Sequence, residues 1–329
     1  MKSDAMSMTG FCFARSCVLK ITVGNRLRHL VWAAAVFLLG SCSSDTSDDK
    51  DGDPLNGGGL PPEQQEFVDM RVVSFNIRVD NTADGANVWR NRRDAGVAMI
   101  GRERPTLLGL QEAQPHQITY LTEHCSDYAW YGLGRDTGKV PPATDSYAAE
   151  ETMAVFWKTA ELELLDKGTF WLSETPEKIS RLADAGYNRT CTWGLFRHKE
   201  SGLRFYLFNT HLDTEKAPRA EQVKVLVAQM KKINGKRLPA FLTGDFNANT
   251  TDACFSPLTA YMRDARVESP STDNFPTWNN YGVSSGKMDH IFFLGDGCAA
   301  REFRTLNGNY GVPYISDHYP VFARFLLRK

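Results

Sequence analysis

Short apolar runs, each closed by a polar residue, recur along residues 70–329. Arg71–Ile77 alternates as a strand should and delivers Asn76 near its end. Thr106–Glu112 is a second buried strand that ends on a carboxylate. Further strands are predicted over 152–157, 162–165, 169–172 and 190–196, and over 203–211, which ends on His211. Helical patterns cover 89–99, begin again at Pro115, and run longest over 215–233, closed by Asn234 and Gly235. Ala240, Phe241 and Leu242 form a strand that runs out into Gly244, Asp245 and Asn247. Two later segments, Lys287–Phe293 and Ser316–Val321, each pass from a polar cluster into an apolar strand. Many strands with few long helices predict two sheets packed face to face with helices outside. No repeat of solenoid or propeller period interrupts this pattern.

The polar positions cluster at strand ends: Asn76, Glu112, His211, Asp245 with Asn247, Asp289, and Asp317 with His318. In extended backbone, two-residue spacing would put Asp245 and Asn247 on one face, where a carboxylate and an amide can hold and deprotonate a water. The competing reading is a strand capped by an Asx turn. Asp213 reads as a turn residue, and His290, next to Asp289 on a strand, as a structural side chain on the opposite face.

Composition changes the picture mainly at the front of the chain. Arg26, Arg28 and His29 precede an apolar run, Leu30–Leu39, that ends in Gly40-Ser41-Cys42. These are the marks of an export signal over residues 1–41, and the run falls short of the roughly 20 residues a spanning helix needs. Leu39–Cys42 resembles a bacterial lipobox, which implies that Cys42 is acylated and becomes the mature N-terminus. Residues 42–69 are rich in Ser, Asp, Gly and Pro and read as a disordered acidic tether reaching about 30 Å. Asp45, Asp48 and Asp49 also resemble the surface-export signal of some lipoproteins. The whole chain carries 38 basic and 39 acidic residues, and residues 70–329 hold 32 and 30 of these. That balance lacks the basic footprint of a protein that grips long nucleic acids. Cys125, Cys191, Cys254 and Cys298 fit no zinc template, and no His pair stands at ligand spacing, so a zinc hydrolase is excluded.

Six motifs in order, SFNIR, LQEAQ, NTHLD, GDFNA, KMDHIFF and SDHYPV, resemble the endonuclease/exonuclease/phosphatase superfamily with its DNase I-like fold. TFWLSETP at 169–176 resembles a bacterial subgroup related to the CCR4-type deadenylases and nocturnin. The resemblance implies a four-layer α-β-β-α sandwich of two mostly antiparallel sheets over residues 70–329. It implies that Glu112 is a metal carboxylate with Asn76 beside it and Asp317 completing an oxygen shell, a donor set suited to Mg²⁺ with Mn²⁺ as substitute. It further implies that Asp245, held by Asn247, deprotonates the attacking water, that His318, oriented by Asp289, stabilises charge on the phosphate, and that His211 donates a second hydrogen bond. Arg189, Trp171 and Glu174 are the expected substrate contacts. A monomeric, membrane-anchored phosphoester hydrolase is expected. Nucleic acid, nucleotide, phospholipid headgroup and sugar phosphate remain open as substrates, sphingomyelin included. The alternative is a surface binding protein that keeps the fold without catalysis.

Overall fold

A computed structural model describes residues 66–143 and 149–329. The expected signal segment, most of the tether and Cys42 lie outside the described residues. Twelve strands form two six-stranded sheets. The first holds β1 (Phe67–Asn76), β2 (Leu107–Ala113), β3 (Tyr128–Tyr131), β4 (Thr152–Lys158), β11 (Cys298–Thr305) and β12 (Val321–Arg328), in the order β11-β12-β1-β2-β4-β3. The second holds β5 (Leu162–Trp171), β6 (Thr190–His198), β7 (Arg204–His211), β8 (Ala240–Asp245), β9 (Arg263–Asp264) and β10 (Asp289–Leu294), in the order β5-β6-β7-β8-β10-β9. The expected tether boundary at Asp69 is too late. Val68 and Met70 are buried and pair with Leu327 and Phe325, so the sheet claims the chain from Phe67.

The apolar runs are continuous rather than alternating because both faces of each sheet are covered. In β8, Phe241 turns into the layer between the sheets, while Ala240 and Leu242 turn outward. In β10, Ile291 and Phe293 go inward and Phe292 and Leu294 outward. The outer face of the first sheet packs Val73, Phe75 and Leu110 against α1 (Trp89–Glu103) and α2 (Pro115–His124), through Met99, Ile118 and Leu121. The outer face of the second packs Phe208 and Leu242 against Val223, Leu226 and Met230 of α3 (Lys216–Ile233). Three apolar layers between four layers of backbone are the expected α-β-β-α sandwich.

Two central pairs, β1 with β2 and β7 with β8, are parallel; every other pair is antiparallel. Parallel strands share their C-terminal ends, and an antiparallel neighbour begins where they stop. The ends of β1, β2, β7 and β8 therefore meet the starts of β10 and β12 at one edge of the sandwich. Just beneath that edge a polar layer joins the sheets. Buried Asn209 donates to the Leu110 carbonyl at 2.7 Å and the Ala154 carbonyl at 3.0 Å, and accepts from Gln111 at 2.7 Å and Thr243 at 3.0 Å. Gly109 allows this approach, since a Cβ there would sit 2.1 Å from Thr243 Oγ1. One expected break is absent: residues 162–171 form a single strand, bulged between Leu164 and Asp166. Its exposed Asp166, Lys167 and adjoining Gly168 read as a turn because they lie in a sheet-edge bulge facing solvent.

Candidate functional site

The strand-end side chains converge. Asn76, last in β1, donates through Nδ2 to Glu112 Oε1 at 3.0 Å and to Asp245 Oδ2 at 2.9 Å, so one buried amide links the two sheets' carboxylates. Its Oδ1 accepts from the Arg78 N–H at 3.0 Å. With the amide so turned, Asn76 braces Glu112 against Asp245. Glu112 stands on the bulge where β2 loses register with β4, at φ +60°, and Arg78 and Asn247 are also left-handed, at +61° and +50°. Non-glycine residues held there store about 1–3 kcal/mol each and collect at functional sites. The bulge re-aims Glu112, whose Oε2 accepts the Val79 N–H at 3.1 Å.

Asn247 does not share a strand face with Asp245, because β8 ends at Asp245 and the chain turns left-handed two residues on. Contact is made through the backbone: the Asn247 N–H donates to Asp245 Oδ1 at 2.9 Å. The side-chain amide donates to the Leu212 carbonyl at 2.9 Å and lies 3.0 Å from His211 Nε2. His211 thus accepts at Nε2 with its proton on Nδ1, an atom buried without a partner. Burial and the charges of Arg189, Arg135 and His318 hold its pKa well below the usual histidine range. His211 is neutral, and any donor it offers is Nδ1–H.

His318 has the opposite character. Its Nδ1–H donates to Asp289 Oδ2 at 2.8 Å, leaving Nε2 3.6 Å from Asp245 Oδ2. Burial opposes its charge, but Asp289 and Asp245 outweigh burial and keep its pKa well above the ordinary value. Burial pushes Asp245 up to about 7 against the pull of His318, with the charge of Asp289 adding to the rise. Burial would also raise Glu112, yet the Asn76 amide, the Arg78 guanidinium and the Val79 N–H hold it below the usual carboxylate range. Asp317 lies 3.7 Å from Arg78 Nε and accepts from Ser316 Oγ at 3.2 Å. Two groupings, Glu112–His211–Asp245 and Asp245–Asp289–His318, each bring ligand atoms within 4.8 Å of one another. Glu112, Asp245, Asp289 and Asp317 stand close together, with His318 and Arg78 as the nearest charged counterparts. This donor set fits a divalent cation, which would relieve the crowding that raises Asp245.

The outer expectations fare unevenly. Arg189 is buried next to His211, with Nε lacking any partner. Trp171 is buried, and its indole N–H donates to the Arg135 carbonyl at 2.8 Å, so it supports Arg135 rather than lining the cleft. Glu174 is exposed and bonds to none of these side chains. His290 faces outward, 2.9 Å from the Ala248 carbonyl, and Asp213 accepts from the Gly186 and Glu215 N–H groups at 3.1 Å each. Four described cysteines, Cys125, Cys191, Cys254 and Cys298, are free thiols.

Two arginines escaped the sequence reading. Arg92 is 1% exposed and donates to the carbonyls of Ile77, Arg78 and Asn87, pinning the loop behind Asn76. Three arginines within four residues at a helix start read as a solvated face, and only the empty carbonyls of the loop give Arg92 its place. Arg135 joins Glu151 at 2.6 Å; no motif marked either residue.

Residues 73–318 match the model of the endonuclease/exonuclease/phosphatase family. A Bacteroides vulgatus endonuclease/exonuclease/phosphatase is 29% identical, with a TM-score of 0.72 over 79% of this chain and 100% of that one. A mannosyl-6-phosphatase of Bacteroides thetaiotaomicron is 31% identical, with a TM-score of 0.70 over 78% of this chain and 99% of that one. The human nocturnin catalytic domain, 22% identical with a TM-score of 0.60 over 81% and 98% of the two chains, shares the fold. No curated protein matches the sequence. With three quarters of its length under the family model and the motif residues gathered at one edge of two packed sheets, the chain belongs to the endonuclease/exonuclease/phosphatase family, whose members hydrolyse phosphoesters.

Proposed function

We propose that this protein is a Mg²⁺-dependent phosphoester hydrolase, with Mn²⁺ as a working substitute, that acts by in-line attack of an activated water. The observation supporting it most is the convergence on Asp245 Oδ2 of Asn76 Nδ2 at 2.9 Å, His211 Nε2 at 3.5 Å and His318 Nε2 at 3.6 Å. A bound cation supplies charge neutralisation at the phosphoryl and leaving oxygens. Glu112 would hold it, with Asp317 nearby. Asp245 takes the proton of the attacking water as general base, and the cation would favour its ionised form. Asp289 accepts from His318 Nδ1–H, which fixes the ring so that Nε2–H is offered to charge developing on the phosphate.

The mannosyl-6-phosphatase relative favours a phosphorylated sugar or a similar small phosphoester as substrate. We further infer from Leu39–Cys42 that the mature chain is anchored through acylated Cys42 on a bacterial outer membrane; no helix among the described residues is long and apolar enough to cross a membrane.

The test is a hydrolysis panel of sugar phosphates, nucleotides, single-stranded RNA and DNA, and sphingomyelin, with Mg²⁺, after chelation and after re-addition. Turnover is expected on at least one phosphoester, with its loss in EDTA reversed by Mg²⁺ or Mn²⁺. Full activity after exhaustive chelation sinks the metal assignment, and no turnover on any class leaves a binding protein. Glu112→Gln should raise the Mg²⁺ concentration needed for half-activity while leaving the circular dichroism spectrum unchanged.

A further inference from the structure

Beside Glu112 and His211 stands a pair of arginines, Arg189 and Arg135. Arg189 immediately precedes β6, where Cys191 pairs with Thr210, so its backbone runs beside the end of β7 that carries His211. Arg135 comes from the other sheet. Its N–H donates to the Glu151 carbonyl at 3.0 Å, and the next residue, Thr152, pairs with Ala113, the neighbour of Glu112. The two arginines are 5% and 7% exposed. The half-exposed ring of Tyr187 lies against both guanidiniums, its centroid 5.2 Å from Arg189 and 4.7 Å from Arg135.

Their charge is not balanced locally. Arg135 takes Glu151 through Nη1 at 2.6 Å. No comparable carboxylate bond is made by Arg189, whose Nε is buried without an acceptor. Asp213, which also acts on Arg189 through its charge, already accepts from two backbone N–H groups. Arg135 Nε also lies 3.5 Å from Asp136 Oδ2, so Arg189 is the nearly dry guanidinium left without a bonded carboxylate, and a buried cation without a partner is costly. An open planar donor fork in such a place matches the oxygens of a phosphate. The charges of both arginines act on His211, so an anion they hold is one that the Asp245 centre also faces.

We propose that Arg189, backed by Arg135 and Tyr187, binds the terminal oxygens of a dianionic phosphate, so that phosphomonoesters are the preferred substrates of this site. The inference rests on the hydrolase reading and adds the choice of ester to it. A monoester carries three terminal oxygens and a charge of about −1.5 to −2 at neutral pH. A diester offers two oxygens and a single charge, which leaves the paired guanidiniums underused.

The experiment compares kcat/KM for phenyl phosphate and for methyl phenyl phosphate, using the full chain with Mg²⁺, in wild type, Arg189→Gln and Arg189→Lys. Wild type should favour the monoester, and Arg189→Gln should lower the monoester-to-diester ratio about tenfold or more, the effect of one lost charge-assisted contact. Arg189→Lys should recover part of the ratio. A wild-type preference for the diester, or a ratio unmoved by Arg189→Gln, overturns the proposal; should the Gln variant fail to fold, Arg189→Lys is held to the same criterion. Calorimetric binding of inorganic phosphate to the Asp245→Asn chain reads the subsite without turnover. There, adding Arg189→Gln should weaken phosphate about tenfold or more, and unchanged affinity overturns the subsite even if no ester is ever cleaved, a result that would itself defeat only the hydrolase reading.

Discussion

Asp245 and His318 sit close enough to act as a unit, and the pKa of each is raised: burial lifts Asp245, while Asp289 and Asp245 outweigh burial at His318. Asp245→Asn keeps the hydrogen-bonding shape but removes the base, so a loss of roughly 10²–10⁴ in single-turnover rate is expected. His318→Ala should lose about 10²–10³, comparable to deleting one charge-stabilising donor. Once either is gone the other has little left to do, so the double variant should be far less impaired than the product of the singles. A near-wild-type rate in Asp245→Asn, with an intact circular dichroism spectrum, would end the hydrolase reading. The residue types at this centre were legible from their positions at strand ends. Their partners were less so. That the Asn76 amide links Glu112 to Asp245 depends on the register of β1 against β2, which no motif shows. The left-handed turn at Asn247 was invisible because a polar residue two places past a strand residue is also what an extended chain would show.

At the level of strands and helices, many strands with few long helices were enough to predict two packed sheets with helices outside. What they could not show was the polar layer of Asn209, Gln111 and Thr243 between the sheets, because these residues lie inside apolar strands whose partners are far away in sequence. Arg92 was lost for a related reason: its acceptors are the backbone of a loop, which has no signature of its own. The polar layer makes a testable claim. Asn209→Ala leaves the Leu110 and Ala154 carbonyls without their donor, at about 1–3 kcal/mol each if water cannot enter. Gly109→Ala forces the sheets apart against Thr243, with about 1–3 kcal/mol of overpacking. Both should lower the midpoint of urea unfolding, and both should lower kcat although neither touches the cleft. A Gly109→Ala protein with unchanged midpoint and rate would show that the close approach is not required.

For the molecule as a whole, the front of the chain and the sandwich are expected to do different jobs. The lipobox-like Leu39–Cys42 followed by a polar tether would hold the hydrolase near a membrane without inserting it. A diacyl-modified Cys42 with an N-acyl chain would hold far better than the single chain that gives only marginal binding. Cys42→Ser should release the protein from the membrane fraction or stall its processing; unchanged retention with normal cleavage refutes the anchor. The sandwich has a consequence of its own. Asn76, Glu112 and the segment leading into β12 belong to one sheet, while His211, Asp245 and Asp289 belong to the other. Neither sheet owns a working half. A thermal intermediate in which one sheet loosens would be silent, so catalytic inactivation and the melting of tertiary packing should trace a single curve. Activity assayed along a temperature ramp should superimpose on near-ultraviolet circular dichroism, with no warm, folded and inactive plateau between them.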